Sequence, residues 1–159
     1  MTGAGSVRVR VADARELDRL VELHALLVGH HGSTATFGPA RGADEAVRAH
    51  LARARQDSTA ELLVADAERP LVGFVLVRVL ERPPLFAETR RGEVEALFVR
   101  PEARRAGVGR ALAAAGLDWL RTQGLGRVAL EVAVGNREGG AFWRALGFEA
   151  SMDVLERRL

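Results

Sequence analysis

The 159-residue chain contains no cysteine, no lysine and no tyrosine, and aromatic residues make up only 5% of it. Without cysteine there is no disulfide, no thiolate metal ligand and no acyl-cysteine intermediate. Without lysine, a G-x-x-x-x-G-K-[ST] phosphate loop is ruled out, and every basic side chain other than histidine is arginine. No apolar run approaches the ~20 residues that a bilayer span requires. The stretch Met1-Thr2-Gly3-Ala4-Gly5-Ser6 has neither the basic nor the apolar part of a secretory signal. These absences lead us to expect a cytoplasmic protein with no membrane partner.

The charges are nearly balanced, 23 basic against 21 acidic, for a formal net charge of +2. Acidic residues are interspersed among the arginines throughout, so no nucleic-acid partner is expected. With 48% hydrophobic and 28% charged residues, the composition is that of a soluble globular protein. The length suits one domain over residues 1–159.

Apolar periodicity alternates between strand and helix along the chain. Val7 to Val11 reads as a short strand. Asp13 then caps a helix, with Glu16 completing a capping box, and Leu17, Leu20, Val21, His24, Leu27 and Val28 share one face. A polar, glycine-rich loop runs from Gly29 to Gly42. A second helix is expected from Asp44 to Gln56, then strands at Glu61–Asp66 and Leu71–Leu80 joined by a turn, then a second loop from Glu81 to Gly92. Glu93 to Val99 is a strand stopped by Pro101, Val108 to Gln123 a helix, and Arg127 to Val134 a strand of near-strict alternation. A short helix from Asn136 to Leu146 ends at Gly147, and the tail from Phe148 to Leu159 is expected to add a last strand. The sum is a mixed, mostly antiparallel α/β sheet of about six strands flanked by about four helices.

One junction carries chemistry. Arg104-Arg105-Ala106-Gly107-Val108-Gly109-Arg110 lies between a strand and an alanine-rich helix. Backbone N–H groups at a helix start have no intrahelical partner and sit at the positive end of the helix dipole. Glycines there let an anion approach the backbone. An ordinary glycine-punctuated βα loop would have the same residues, so the junction alone leaves phosphate binding open. It is not a dinucleotide fingerprint, because Leu112 and Arg105 stand where small residues are needed. Nor is a metal site expected: His30 and His31 are adjacent, and His24 and His50 read as helix-face residues.

Two segments together resemble a known family. Val94-Glu95-Ala96-Leu97-Phe98-Val99-Arg100-Pro101 followed by Arg104-x-x-Gly107-x-Gly109 is similar to the [QR]-x-x-G-x-[GA] motif of the GNAT acetyltransferases. Asn136, Ala141, Phe142, Trp143, Leu146, Gly147 and Phe148 resemble that family's closing segment. The resemblance implies a GNAT-like fold, acetyl-CoA as co-substrate, no metal, and an amine acceptor, small molecule or protein, with a second copy of the chain left open as a partner.

It also implies roles. The pyrophosphate of coenzyme A would rest on the N–H groups of Arg105, Ala106, Gly107, Val108, Gly109 and Arg110, with the Arg104 and Arg110 side chains adding charge. The backbone of Leu97 and Val99 would pair with the pantetheine arm, and an N–H at Phe98 or its neighbour would polarise the thioester carbonyl. Asn136 would contact the cofactor arm, cap the last helix, or do both; Phe142 belongs with the cofactor contacts. Glu95 is the first choice of base for the acceptor, with Glu93 two residues earlier on the same sheet face. Trp143 replaces the usual tyrosine: it could stabilise the leaving sulfur or pack under the cofactor, but its indole N–H cannot give up a proton. Gly139 and Gly140 should loosen the start of that helix. A non-catalytic acetyl-CoA-binding module is the alternative. The loops at Gly29–Gly42 and Glu81–Gly92 (His30, His31, Ser33, Thr34, Phe37 and Arg41; Arg82, Phe86, Glu88 and Arg90) would choose the acceptor.

Overall fold

The computed structural model describes residues 7–30, 42–66, 70–157 and 159. His31, Ser33, Thr34, Phe37 and Arg41, and the centre of the turn expected between Asp66 and Pro70, lie outside the described residues. The elements in chain order are β1 (Arg8–Val11), α1 (Leu17–His30), α2 (Ala43–Gln56), β2 (Ala60–Asp66), β3 (Leu71–Glu81), β4 (Arg90–Val99), α3 (Val108–Thr122), β5 (Val128–Ala129) and α4 (Arg137–Ala145). The sheet follows chain order, β1-β2-β3-β4-β5; the first three pairings are antiparallel and β4–β5 is parallel.

Alternation along the long central strands sorts the core into two layers. Leu62, Val64, Phe74 and Leu76 meet Leu20 and Leu23 of α1 and Leu51 and Ala54 of α2 on one face. Leu63, Ala65, Val75 and Val77 meet Val108, Leu112 and Leu120 of α3 on the other. The expected capping box is present, although Asp13 starts a short 3-10 turn, Ala14–Glu16, that leads into α1.

Four expectations need correction. The sheet has five strands among the described residues, not six. β4 begins at Arg90 rather than Glu93, because Arg90, Arg91 and Gly92 pair with Glu81, Leu80 and Val79 and extend the hairpin. Of the strand expected over Arg127–Val134, only Val128 and Ala129 pair with β4, opposite Gly92 and Glu93. The described residues of the tail form no strand, and Met152, Val154 and Leu155 are exposed, with no burial to hold an extended segment in place.

Candidate active site

The shortness of β5 makes the site. β3 and β4 lose register between Leu76 and Val77: Val94 pairs with Val77 and Ala96 with Leu76, so Glu95 is the extra residue of a β-bulge. A bulge bends its strand and re-aims a side chain. Val94 packs on the α3 layer and Ala96 on the α1–α2 layer. Glu95 shares the Ala96 side, because its carboxylate contacts His50 of α2. At this point β4 and the chain after β5 separate, and a cleft of about 590 Å³ opens between them.

The cleft is lined by β4 from Val94 to Val99, by Leu130, Glu131 and Val132 after β5, by Leu27 and His30 of α1, by Arg104, Arg105, Gly107, Gly109 and Arg110, and by Asn136, Phe142 and Trp143. The Arg100 N–H donates to Val72 O at 2.8 Å, and Phe98 pairs with Phe74, so the even-numbered N–H groups of this stretch turn toward β3. Period two then turns the N–H groups of Leu97 and Val99 toward the cleft. The Phe98 N–H belongs to the ladder, which leaves its neighbours as the available donors.

At the far end of the cleft the chain makes a tight turn. Arg105 has φ +62° and Gly107 φ +81°, both left-handed. Left-handed residues set among right-handed ones converge successive N–H groups into an anion-binding concavity. The first helical bond of α3 runs from the Ala111 N–H to Gly107 O at 3.0 Å, so the N–H groups of Val108, Gly109 and Arg110 have no partner within the helix. The two glycines are needed for different reasons. Gly107 needs its backbone conformation, since a Cβ there would meet nothing within 4 Å. A Cβ on Gly109 would lie 3.3 Å from Phe142 and 3.6 Å from Val99, so this glycine sets how closely α3, α4 and β4 pack.

Arg104 is braced rather than free. Its Nε donates to Val99 O at 3.1 Å, its Nη1 lies 3.6 Å from Glu138 Oε2, and its guanidinium sits 5.8 Å from the Phe98 ring centre. Arg105 and Arg110 line the cleft as exposed side chains. Asn136 caps α4, its Oδ1 accepting from the Gly139 N–H at 2.9 Å. A Cβ on Gly139 would fall 2.5 Å from Asn136 Nδ2, so this glycine makes room for the cap and does not merely loosen the helix. Phe142, Trp143 and Phe148 form an edge-to-face series with centroids 4.9 and 5.2 Å apart.

Glu95 lines the cleft; Glu93 is set behind it, beside Arg78 in register. Burial pushes the Glu93 carboxyl above its ordinary value, and the charges of Glu95 and Glu131 push the same way against Arg91 and Arg78. Glu95 is held from two sides: Arg78 Nε donates to its Oε2 at 2.6 Å, and His50 Nε2 contacts its Oε1. Sequence reasoning missed both partners. Arg78 carried a usable signal, a single charge inside the apolar run Val77-Arg78-Val79, which calls for a counter-charge. His50 carried none, being one of many polar residues beside the apolar stripe of α2. Among the described residues, no group of histidine and carboxylate side chains could hold a metal ion.

A mostly antiparallel sheet that forks at a bulge, with an N–H-rich helix start closing the fork, defines a class of α/β proteins shaped to take a long ligand with an anionic end. The chain belongs to the Acetyltransferase (GNAT) family, whose profile matches residues 30–148. It is 43% identical over 93 residues to the mycothiol acetyltransferase of Salinispora tropica, a match covering 58% of this chain and 29% of that protein. The chain thus spans less than a third of the length of three curated relatives it matches. Solved structures share its fold. The aminoglycoside N-acetyltransferase AAC(6')-Iy, determined with CoA, superposes with a TM-score of 0.79 at 22% identity, covering 97% of this chain and 95% of that one. A protein from Clostridium acetobutylicum described as a predicted acetyltransferase, determined with acetyl-CoA, gives a TM-score of 0.81 at 14% identity, with 96% of each chain covered. Among the described residues no helix is long and apolar enough to cross a membrane.

Proposed function

We propose that the protein is an N-acetyltransferase that takes the acetyl group of acetyl-CoA and passes it directly to an amine held in the same complex. The observation that carries this reading is the fork itself. The Leu97 and Val99 N–H groups line a cleft that leads to the partnerless N–H groups of Val108, Gly109 and Arg110. An extended amide-bearing arm ending in a pyrophosphate matches that arrangement along its whole length. Family membership and the acetyltransferase names of the relatives support it. We assign the protein to the cytoplasm.

The acceptor amine, with an ordinary value near ~10, is protonated at neutral pH and must lose a proton before it can attack. Glu95 is the base we assign, because it lines the cleft where Glu93 does not. The freed nitrogen lone pair forms the N–C bond, a Leu97 or Val99 N–H steadies the developing oxyanion, and the C–S bond breaks as the attached nitrogen sheds its second proton to solvent. Coenzyme A leaves as a thiolate; a thiol of ordinary value near ~8.5 needs no obligatory acid, and it recovers a proton from water. Trp143 packs between Phe142 and Phe148, and its indole N–H is at most a hydrogen-bond donor to the sulfur. With no cysteine in the chain, a cysteine acyl-enzyme is impossible, and initial-rate lines should intersect; parallel lines would count against direct transfer. Glu95→Gln should lower turnover more than tenfold, read as thiol release with a saturating amine. Near-normal turnover would remove Glu95 as the base.

The second reading, an acetyl-CoA-binding module without turnover, is favoured only by tryptophan standing at position 143. Thiol release across a panel of amines separates the two.

A further inference from the structure

The turn that ends the cleft is rich in positive charge, yet a carboxylate stands on its rim. Arg104, Arg105 and Arg110 line that end, and so does Glu138 of α4. Two features fix where Glu138 points. Its Oε2 lies 3.6 Å from Arg104 Nη1. Phe142, one helical turn further along α4, shares its face and packs against Gly109, 3.3 Å from where a Cβ would stand. Glu138 therefore faces the same turn, Arg104 to Arg110, whose partnerless N–H groups make the anion cradle.

Arg104 does not need Glu138 to hold its shape. Its Nε donates to Val99 O at 3.1 Å, and its guanidinium sits 5.8 Å from the Phe98 ring centre. At 3.6 Å the contact with Glu138 is too long for a hydrogen bond and supplies charge alone. The Glu138 side chain is 64% exposed against 26% for Arg104, so the carboxylate is the partner with room to move. A diphosphate arriving here meets a like charge on the rim and an arginine whose charge is already balanced. Resting on the reading of this cleft as an acetyl-CoA site, we propose that Glu138 is the internal counter-anion of the diphosphate site: it occupies Arg104 in the free protein and gives it up to the ligand.

The consequence falls on affinity and not on the chemical step. The donor and the spent coenzyme carry the same diphosphate, so a competitor at Arg104 weakens both by the same factor. Interactions that are equal in the ground and transition states change binding without touching the barrier. Glu138 thus favours exchange of the spent coenzyme for fresh donor over tight retention of either. Exposed ion pairs are worth little in water, so the factor is about twofold to fivefold in Kd. Among the described residues Arg104 is the one partner of the Glu138 carboxylate. Without that arginine the carboxylate turns to solvent and its influence fades.

Titration calorimetry on the full-length protein tests this, with CoA, acetyl-CoA and dephospho-CoA, which keeps the diphosphate but lacks the ribose phosphate. Glu138→Gln keeps the shape and removes the charge. It should tighten all three ligands by one factor, about twofold to fivefold at about 0.05 M salt. Raising the salt to about 0.5 M shortens the screening length and should bring the variant and wild-type Kd values together. In an Arg104→Gln background, Glu138→Gln should change Kd by less than about 1.5-fold. Where Arg104→Gln lowers stability too far for titration, the salt series on the single variant decides alone. Weaker or unchanged CoA binding in Glu138→Gln overturns the proposal and leaves the acetyl-CoA reading standing. A gain that survives high salt, persists in full without Arg104, or vanishes with dephospho-CoA also overturns it. Failure of CoA to bind the wild-type protein refutes the acetyl-CoA reading and the proposal with it.

Discussion

Gly107→Ala is the sharpest probe of the turn that ends the cleft. A Cβ at Gly107 meets nothing within 4 Å, so the substitution introduces no clash. Its effect is conformational: at φ +81° an alanine costs about 1–2 kcal/mol. Alanine also stiffens the unfolded chain and returns about 0.4–1 kcal/mol. The net loss should be about 1 kcal/mol, and it can be spent in two places. If the turn keeps its shape, the free protein is destabilised by that amount and binding is unchanged. If the turn relaxes in the free protein, stability is kept and acetyl-CoA must restore the turn, weakening affinity about fivefold. The two losses should therefore sum to about 1 kcal/mol, read by chemical denaturation and by titration calorimetry with acetyl-CoA. Gly107→Asn, which tolerates the left-handed region better, should show less than half the sum. A sum near zero for Gly107→Ala would mean that the left-handed turn is not required. A sum above about 4 kcal/mol would mean that the methyl group strikes the ligand, contrary to the open space at this position.

Two further outcomes follow from the site. Glu93 binds its proton more tightly in the folded protein than an ordinary carboxyl does, chiefly through burial, so its contribution to stability is greatest below the unfolded value and is lost as pH rises through the folded one. Glu93→Gln should therefore raise the melting temperature at pH 7, with the gain shrinking to nothing below about pH 4; an equal gain at both pH values would contradict this. Asn136→Ala removes the acceptor of the Gly139 N–H and should cost about 1 kcal/mol by denaturation, while Asn136→Asp should keep most of the stability.

The fold was readable where burial is two-sided. The runs Glu61–Asp66 and Leu71–Leu80 are almost wholly apolar because helices cover both faces, and no polar face competes with the strand reading. The helix start at Gly107 was readable because the turn needs a glycine that is visible as one. The fork was harder to see. Arg127–Val134 alternates like a strand, but pairing requires a neighbour, and the bulge at Glu95 carries β4 away after two residues. A phase slip in β4, with Val94, Leu97 and Val99 packing together, was present in the sequence and marks that bulge. The partners of Glu95 were hidden for a different reason: His50 and Arg78 lie 45 and 17 residues away in the chain, and only the packing of α2 beside β3 and β4 brings them to it.

The most direct test of the account is thiol release from acetyl-CoA across a panel of primary amines, with acetylated product verified by mass. Release that depends on a particular amine, with the amine recovered carrying one acetyl group, is the predicted result. Stabilisation of the protein by acetyl-CoA with no amine raising thiol release above background would contradict catalysis and leave only a binding module.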